Sequence, residues 1–198
     1  MYSYLALGDS YTIGEQVLLH HSFPYQTVQL LRESGFNFHA PEIVAVTGYT
    51  SGELNTLIDS LKMMPAYDFV SLLIGVNNQY RGLSLSDFAI EFEHLLKRTI
   101  QFANGLASNV FVLSIPDWGK TPFAVGKDIE KIEKEIDSFN ECCAKISAKY
   151  GVKYLDITTH QRLHANDKEY LVTDALHPSQ KEYAHWSQLL ADAIRETL

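Results

Sequence analysis

Cysteine is nearly absent from this 198-residue chain: the only two, Cys142 and Cys143, are adjacent. Neighbours on a helix point to different faces and do not form an ordinary disulfide. A disulfide scaffold and a cysteine metal site are both excluded. The pair reads as two small residues in a helix. Long apolar runs are lacking too, and none approaches the roughly 18 residues of a membrane span. The opening, Met1-Tyr2-Ser3-Tyr4-Leu5-Ala6-Leu7-Gly8, has no basic stretch ahead of an apolar one, so it does not read as a secretory leader. A cytoplasmic location is the expectation for a chain from which no leader was trimmed. Basic charge is in short supply: 16 Lys and Arg stand against 24 Asp and Glu, a net charge of −8. Such a surface repels phosphate backbones and anionic lipid, which argues against nucleic acid or membrane as a partner. Repeats, low-complexity tracts and linkers are missing as well. What remains is one globular domain over residues 1–198, long enough to bury a core without staples.

What is present is alternation. Short apolar, β-branched runs recur at 4–8, 42–47, 68–74, 109–115 and 152–157. Between them lie segments with helical spacing. Ser22, Ser51 and Ser84 read as N-caps, and Gly35, Gly105 and Gly151 as stops. Segment 128–150 carries Ile129, Ile132, Ile136, Phe139, Cys143 and Ile146 at steps of three and four. Segment 179–198 does the same with Tyr183, Trp186, Leu189, Leu190 and Ile194. The run Phe69-Val70-Ser71-Leu72-Leu73-Ile74 does not alternate, so it predicts a strand buried on both faces. The expected class is α/β: three layers, α/β/α, around a five-stranded parallel, doubly wound sheet of flavodoxin-like order.

In such a sheet, ligands bind outside the carboxyl ends of the strands. The residues that follow the five runs are Gly8-Asp9-Ser10-Tyr11, Thr47-Gly48-Tyr49-Thr50, Gly75-Val76-Asn77-Asn78, Pro116-Asp117-Trp118-Gly119 and, further on, Asp174-Ala175-Leu176-His177-Pro178. These are components of nucleophilic acyl transfer. A serine hydroxyl such as that of Ser10 needs a base, and His177 is suited because imidazole titrates near neutrality. Asp174, three residues earlier, can hold the ring nitrogen that faces away from Ser10. Donors for a tetrahedral oxyanion are available in the N–H groups of Ser10 and Gly48 and the amide of Asn77. Losing one such donor costs on the order of 3 kcal/mol of transition-state stabilisation. Glycine at 48 would leave room for substrate.

The first three of these blocks and the last, in this order, resemble the SGNH, or GDSL-type, esterases and lipases over nearly the whole chain. The resemblance implies Ser10 as nucleophile, Asp174 and His177 as its triad partners, and Ser10, Gly48 and Asn77 as the oxyanion hole. It implies no metal or other cofactor. Two positions depart from the family pattern. Asn78 stands where Asp is common, so a shifted local hydrogen-bond pattern is expected, and Tyr11 stands where the family name has Leu.

Other residues read as structural. Asp9 is expected to bond nearby loop backbone, and Gly75 to be a plain turn glycine. His20, His21, His160 and His164 fall on predicted loops, where such residues are usually solvated, and their spacing matches no zinc motif. Segment 128–134 reads as a solvated helix face. Tyr11, Tyr49, Tyr80 and Trp118, with Phe123, are the candidate pocket residues, suited to sugar faces or short acyl groups. The chain has no long lid insertion, which favours an esterase on soluble esters over an interfacial lipase. The expected partner is a small-molecule ester with a short acyl chain, an acetylated carbohydrate being one candidate. The alternatives are an acyltransferase, thioesterase or lysophospholipase with the same triad, and a flavodoxin-like binding module.

Overall fold

The computed structural model describes all 198 residues. Five strands form one parallel sheet: β1 Tyr4–Gly8, β2 Glu42–Ala45, β3 Phe69–Leu73, β4 Val110–Leu113 and β5 Lys153–Leu155. Their order is β2-β1-β3-β4-β5, the flavodoxin-like arrangement expected. β1, β3 and β4 are buried along their whole length, whereas β2 and β5 are half-buried because each has a neighbour on one side only. Gly8 stands level with Ala45 on one side and Leu73 on the other. The three loops that leave β1, β2 and β3 therefore start from one line.

The helices are α1 Ser10–Ile13, α2 Phe23–Glu33, α3 Ser51–Ser60, α4 Val76–Tyr80, α5 Leu85–Phe102, α6 Ile129–Lys149, α7 Thr158–His164 and α8 Gln180–Arg195. α2 packs on α8, while α5 packs on α3 and α6, which gives the two outer layers. α6 buries Ile132, Ile136, Phe139 and Cys143 at the predicted spacing, and α8 buries Tyr183, Trp186, Leu190 and Ile194. Ile129, in the first turn of α6, is exposed. The buried apolar residues form one continuous cluster across the sheet. No helix is long and apolar enough to cross a membrane.

Several local expectations are corrected. The strands are shorter than the apolar runs, because residues such as Val46, Ile74 and Ile115 leave the sheet to build loops at its carboxyl edge. Ser51 is not the N-cap of α3. Thr50 is, in a capping box: its Oγ1 accepts from Glu53 N, and Glu53 Oε2 accepts from Thr50 N at 2.8 Å. Ser22 sits at the N-cap position of α2 but makes no cap bond; its hydroxyl donates to the Leu19 carbonyl. Ser84 caps α5 as expected. His160 and His164 are not loop residues. They lie on α7, where His160 stacks on His185 with ring centroids 3.7 Å apart and His164 stacks on Tyr170 at 4.0 Å. His160 Nδ1 lies 2.9 Å from the buried carboxylate of Glu182. α7 is too short and polar to show a helical period, and its partners come from distant sequence.

Candidate active site

β1 delivers its last residue, Gly8, into a tight turn. Asp9 caps α1 there, its Oδ1 accepting from Tyr11 N at 3.1 Å, and Ser10 becomes the first helical residue. From the far end of the chain, residues 170–179 form a loop closed at its base. Leu171 bridges Pro178, and Ser179 N donates to the Tyr170 carbonyl at 2.8 Å. At its tip, Asp174 Oδ1 accepts the N–H groups of Leu176 and His177, both at 2.9 Å. Those bonds hold Ala175 at φ 60°, a left-handed conformation uncommon outside glycine. They also leave Oδ2 free to meet His177 Nδ1 at 2.6 Å. His177 Nε2 then lies 2.9 Å from Ser10 Oγ.

Burial by itself would raise the Asp174 pKa. The hydrogen bonds from the His177 ring and from the two backbone N–H groups outweigh it and hold the carboxyl below its ordinary value. An ionised Asp174 only accepts, so the His177 Nδ1 carries the proton and Nε2 is left to accept from the Ser10 hydroxyl.

Gly48 lies in the loop after β2, at φ 82°. A Cβ there would find open space, its nearest atom being Arg81 Nη2 at 3.9 Å, so backbone torsion requires the glycine more than room does. Its N–H donates to no protein acceptor. Gly75 is more than a turn residue. At φ 130° it also presses against α5 and the β4 loop, where a Cβ would stand 2.6 Å from Ile115 Cδ1 and 2.9 Å from the Phe88 ring. That contact fixes the start of α4, which carries Asn77. The Asn77 Nδ2 lies 3.0 Å from the Tyr49 carbonyl and 3.3 Å from Asp9 Oδ2. Asp9 thus bonds loop backbone as expected and reaches Asn77 as well.

Asn78 points the other way, into the protein. Its Oδ1 accepts from Ser51 N at 3.0 Å, and its Nδ2 donates to Ser51 Oγ at 2.8 Å. Ser51 Oγ in turn donates to Glu91 Oε2 at 2.5 Å. Glu91 supplies the carboxylate of this network.

Ser10, Gly48, Asn77 and His177 share the walls of a cavity of about 210 Å³. Tyr11, Tyr80, Trp118 and Phe123 line it, as proposed from sequence. Tyr49 does not; only its carbonyl takes part, through Asn77. Thr47, Val76 and Leu176, members of the same blocks, complete the lining. The Trp118 indole donates to Gln79 Oε1 at 2.7 Å, and Gln79 Nε2 donates to Glu135 at 2.8 Å. The turn that carries Trp118 is capped by Asp117, whose Oδ2 lies 2.9 Å from Arg162 Nε. Burial raises the Asp117 pKa, and Arg162 offsets part of that rise. Two side chains after α1 tie the loops around the cavity together: Glu15 accepts from Thr47 Oγ1, and Gln16 Oε1 accepts from Thr173 Oγ1 at 2.8 Å. Gln79, Glu91, Glu15 and Gln16 escaped the sequence reading, since ordinary polar residues carry no motif.

A hydroxyl hydrogen-bonded to an imidazole, itself oriented by a carboxylate, beside a free N–H donor and an apolar cavity, is an arrangement able to carry out acyl transfer. The family model described as GDSL-like Lipase/Acylhydrolase matches residues 6–185. Among solved structures, that of TesA is 14% identical, covers 99% of each chain and gives a TM-score of 0.77. A lipase/acylhydrolase from Enterococcus faecalis is 18% identical over 100% of this chain and 97% of its own, with a TM-score of 0.76. Axe2, an acetylxylan esterase from Geobacillus stearothermophilus, is 16% identical over 98% of this chain and 94% of its own, with a TM-score of 0.76. At these identities the likeness to solved structures is one of fold. No curated protein matches the chain.

Proposed function

The chain belongs to the GDSL-like lipase/acylhydrolase family, and from that premise we propose that it is a serine esterase of short-chain carboxylic esters, working as one catalytic unit over residues 1–198. The observation that carries the proposal is the hydrogen-bonded chain Ser10–His177–Asp174, with links of 2.9 and 2.6 Å, opening on an apolar cavity.

Ser10 Oγ attacks the ester carbonyl while His177 Nε2 takes its proton. Asp174 holds the ring in the required tautomer and stabilises the imidazolium that forms. The negative charge on the former carbonyl oxygen is met by the N–H groups of Ser10 and Gly48 and by the Asn77 amide. His177 then gives its proton to the leaving alcohol, and an acyl-enzyme remains on Ser10. Water enters, His177 removes its proton, and the acid departs. The acyl group lies against Trp118, Tyr80 and Phe123, an edge-to-face aromatic wall that offers contact area and few hydrogen bonds.

Hydrolysis of p-nitrophenyl acetate by the wild type and by Ser10→Ala tests this directly. The expected result is turnover that drops at least about 1,000-fold in the variant, as for loss of a triad member. Equal turnover in the two proteins removes Ser10 from the role of nucleophile.

A further inference from the structure

Asn77 has two amide hydrogens on Nδ2, and protein acceptors engage both. One faces the Tyr49 carbonyl at 3.0 Å, the other Asp9 Oδ2 at 3.3 Å. The Gly48 N–H, in contrast, has no protein acceptor. A developing oxyanion therefore meets two free donors, the N–H groups of Ser10 and Gly48, and one that is occupied. Of the two Asn77 contacts, the one to Asp9 is the longer and yields more readily.

Asp9 is an uncommon partner. Its side chain is completely buried, and its other oxygen accepts only from Tyr11 N. No Lys or Arg forms an ion pair with it. The titratable groups beside it are the buried phenols of Tyr11 on α1 and Tyr183 on α8; Asp174, Asp117 and Glu15 act on those phenols in turn, and the His177 ring lies 5.3 Å from that of Tyr11. An ionised carboxylate in this position holds the Asn77 hydrogen with a charge-assisted bond and repels negative charge forming nearby. A neutral carboxylic acid does neither.

We propose that Asp9 is a positioning residue that acts on the oxyanion hole through Asn77: protonated, it releases the second Asn77 hydrogen to the oxyanion; ionised, it retains it. The proposal rests on the acyl-transfer reading of Ser10. The Asp9 proton comes from solvent before the reaction and stays in place, so the proton relay through His177 is unchanged. Burial pushes the Asp9 carboxyl up to about 7, the hydrogen bonds from Tyr11 and Asn77 offsetting only part of the rise. Both forms are thus present near neutrality.

The test is the pH profile of p-nitrophenyl acetate hydrolysis by the wild type and by Asp9→Asn, which places an uncharged NH₂ where Oδ2 stands. In the wild type, kcat/KM falls above about pH 7, approaching tenfold per pH unit. In Asp9→Asn this alkaline fall is absent. The fall lies in kcat and leaves KM unmoved, since the oxyanion exists only past the ground state. A second measurement needs no variant. In the intact protein, the Asp9 carboxyl carbon and the Asn77 side-chain amide are followed by NMR through the same titration. They are expected to move together, with a midpoint near 7. An alkaline fall retained in Asp9→Asn overturns the proposal, as does an Asp9 titrating near 4, the ordinary carboxylate range, or an Asn77 amide that ignores it. Ser10→Ala run alongside keeps the two readings apart. If it matches the wild type, the esterase reading fails, while the NMR titration still decides whether Asp9 controls Asn77.

Discussion

Asn78 illustrates how one residue redistributes a hydrogen-bond pattern. A carboxylate at 78 would accept from both Ser51 N and Ser51 Oγ. The amide accepts from the first and donates to the second, so the serine hydroxyl must turn its own proton elsewhere. Glu91, 40 residues beyond Ser51, receives it. Asn78→Asp restores the common family residue and is nevertheless expected to destabilise this protein. The new carboxylate would stand about where Asn78 Nδ2 now lies, 3.5 Å from Glu91 Oε2, with one serine hydroxyl between two anions. A loss of about 2 kcal/mol at pH 7 is expected, as for a buried polar group deprived of its partner. Lowering the pH relieves it, because protonation of either carboxyl restores a donor. Adding Glu91→Gln recovers stability at pH 7. Thermal unfolding of the single and double variants checks this, and additive losses would mean that Asn78 and Glu91 are not coupled. Ser10, Gly48, Asn77 and Trp118 were legible because each lies in a short block that follows a strand. Glu91 was not, since an acidic residue on a helix face reads the same whether it meets water or Ser51.

At the scale of elements, the strand ends were easier to read than the turns between them. Apolar runs marked all five strands, and helical spacing marked α6 and α8. The cap of α3 was misplaced by one residue because Thr50 and Ser51 are both good caps, and only the reach of Glu53 back to Thr50 distinguishes them. The Trp118 turn shows the same limit. Trp118 was legible as a pocket residue, but the support beneath it was not. Asp117 is fully buried and pairs with Arg162, which continues to Asp137. This ion pair ties the loop after β4 to α7 and α6. Removing the cation leaves a buried carboxylate whose remaining hydrogen bond comes from the Gly119 N–H. Arg162→Ala is therefore expected to cost about 3 kcal/mol, a drop of on the order of 10 °C in Tm for a chain of this size. Asp117→Asn in the same chain removes the stranded charge and should restore much of the loss. A Tm unchanged in Arg162→Ala would mean that the turn is held without the ion pair.

At the scale of the molecule, the parallel sheet does what short motifs alone do not: it levels the ends of β1, β2 and β3, so that Ser10, Gly48 and Asn77 arrive at one place. The loop beyond β5 then closes over them with Asp174 and His177. The parallel order was readable from strands that do not alternate. The capacity of the resulting cavity was not, because volume depends on how Tyr80, Trp118 and Phe123 lean on one another, with Tyr80 and Trp118 centroids 5.1 Å apart. That volume, about 210 Å³, sets a limit on substrate. A methylene fills roughly the space of a water molecule, about 30 Å³, and the cavity must hold the reacting ester group as well, so it has room for a short acyl chain only. Each methylene buried against the aromatic wall contributes about 0.8 kcal/mol, close to a fourfold gain. Along a series of p-nitrophenyl esters, kcat/KM should climb from acetate through the short acyl chains and then stop climbing as the chain outgrows the cavity. Trp118→Ala enlarges the cavity and should move the break to longer chains, with little change for acetate. A break that stays in place in Trp118→Ala would show that the acyl chain lies elsewhere, and that the aromatic wall faces the alcohol portion of the ester instead.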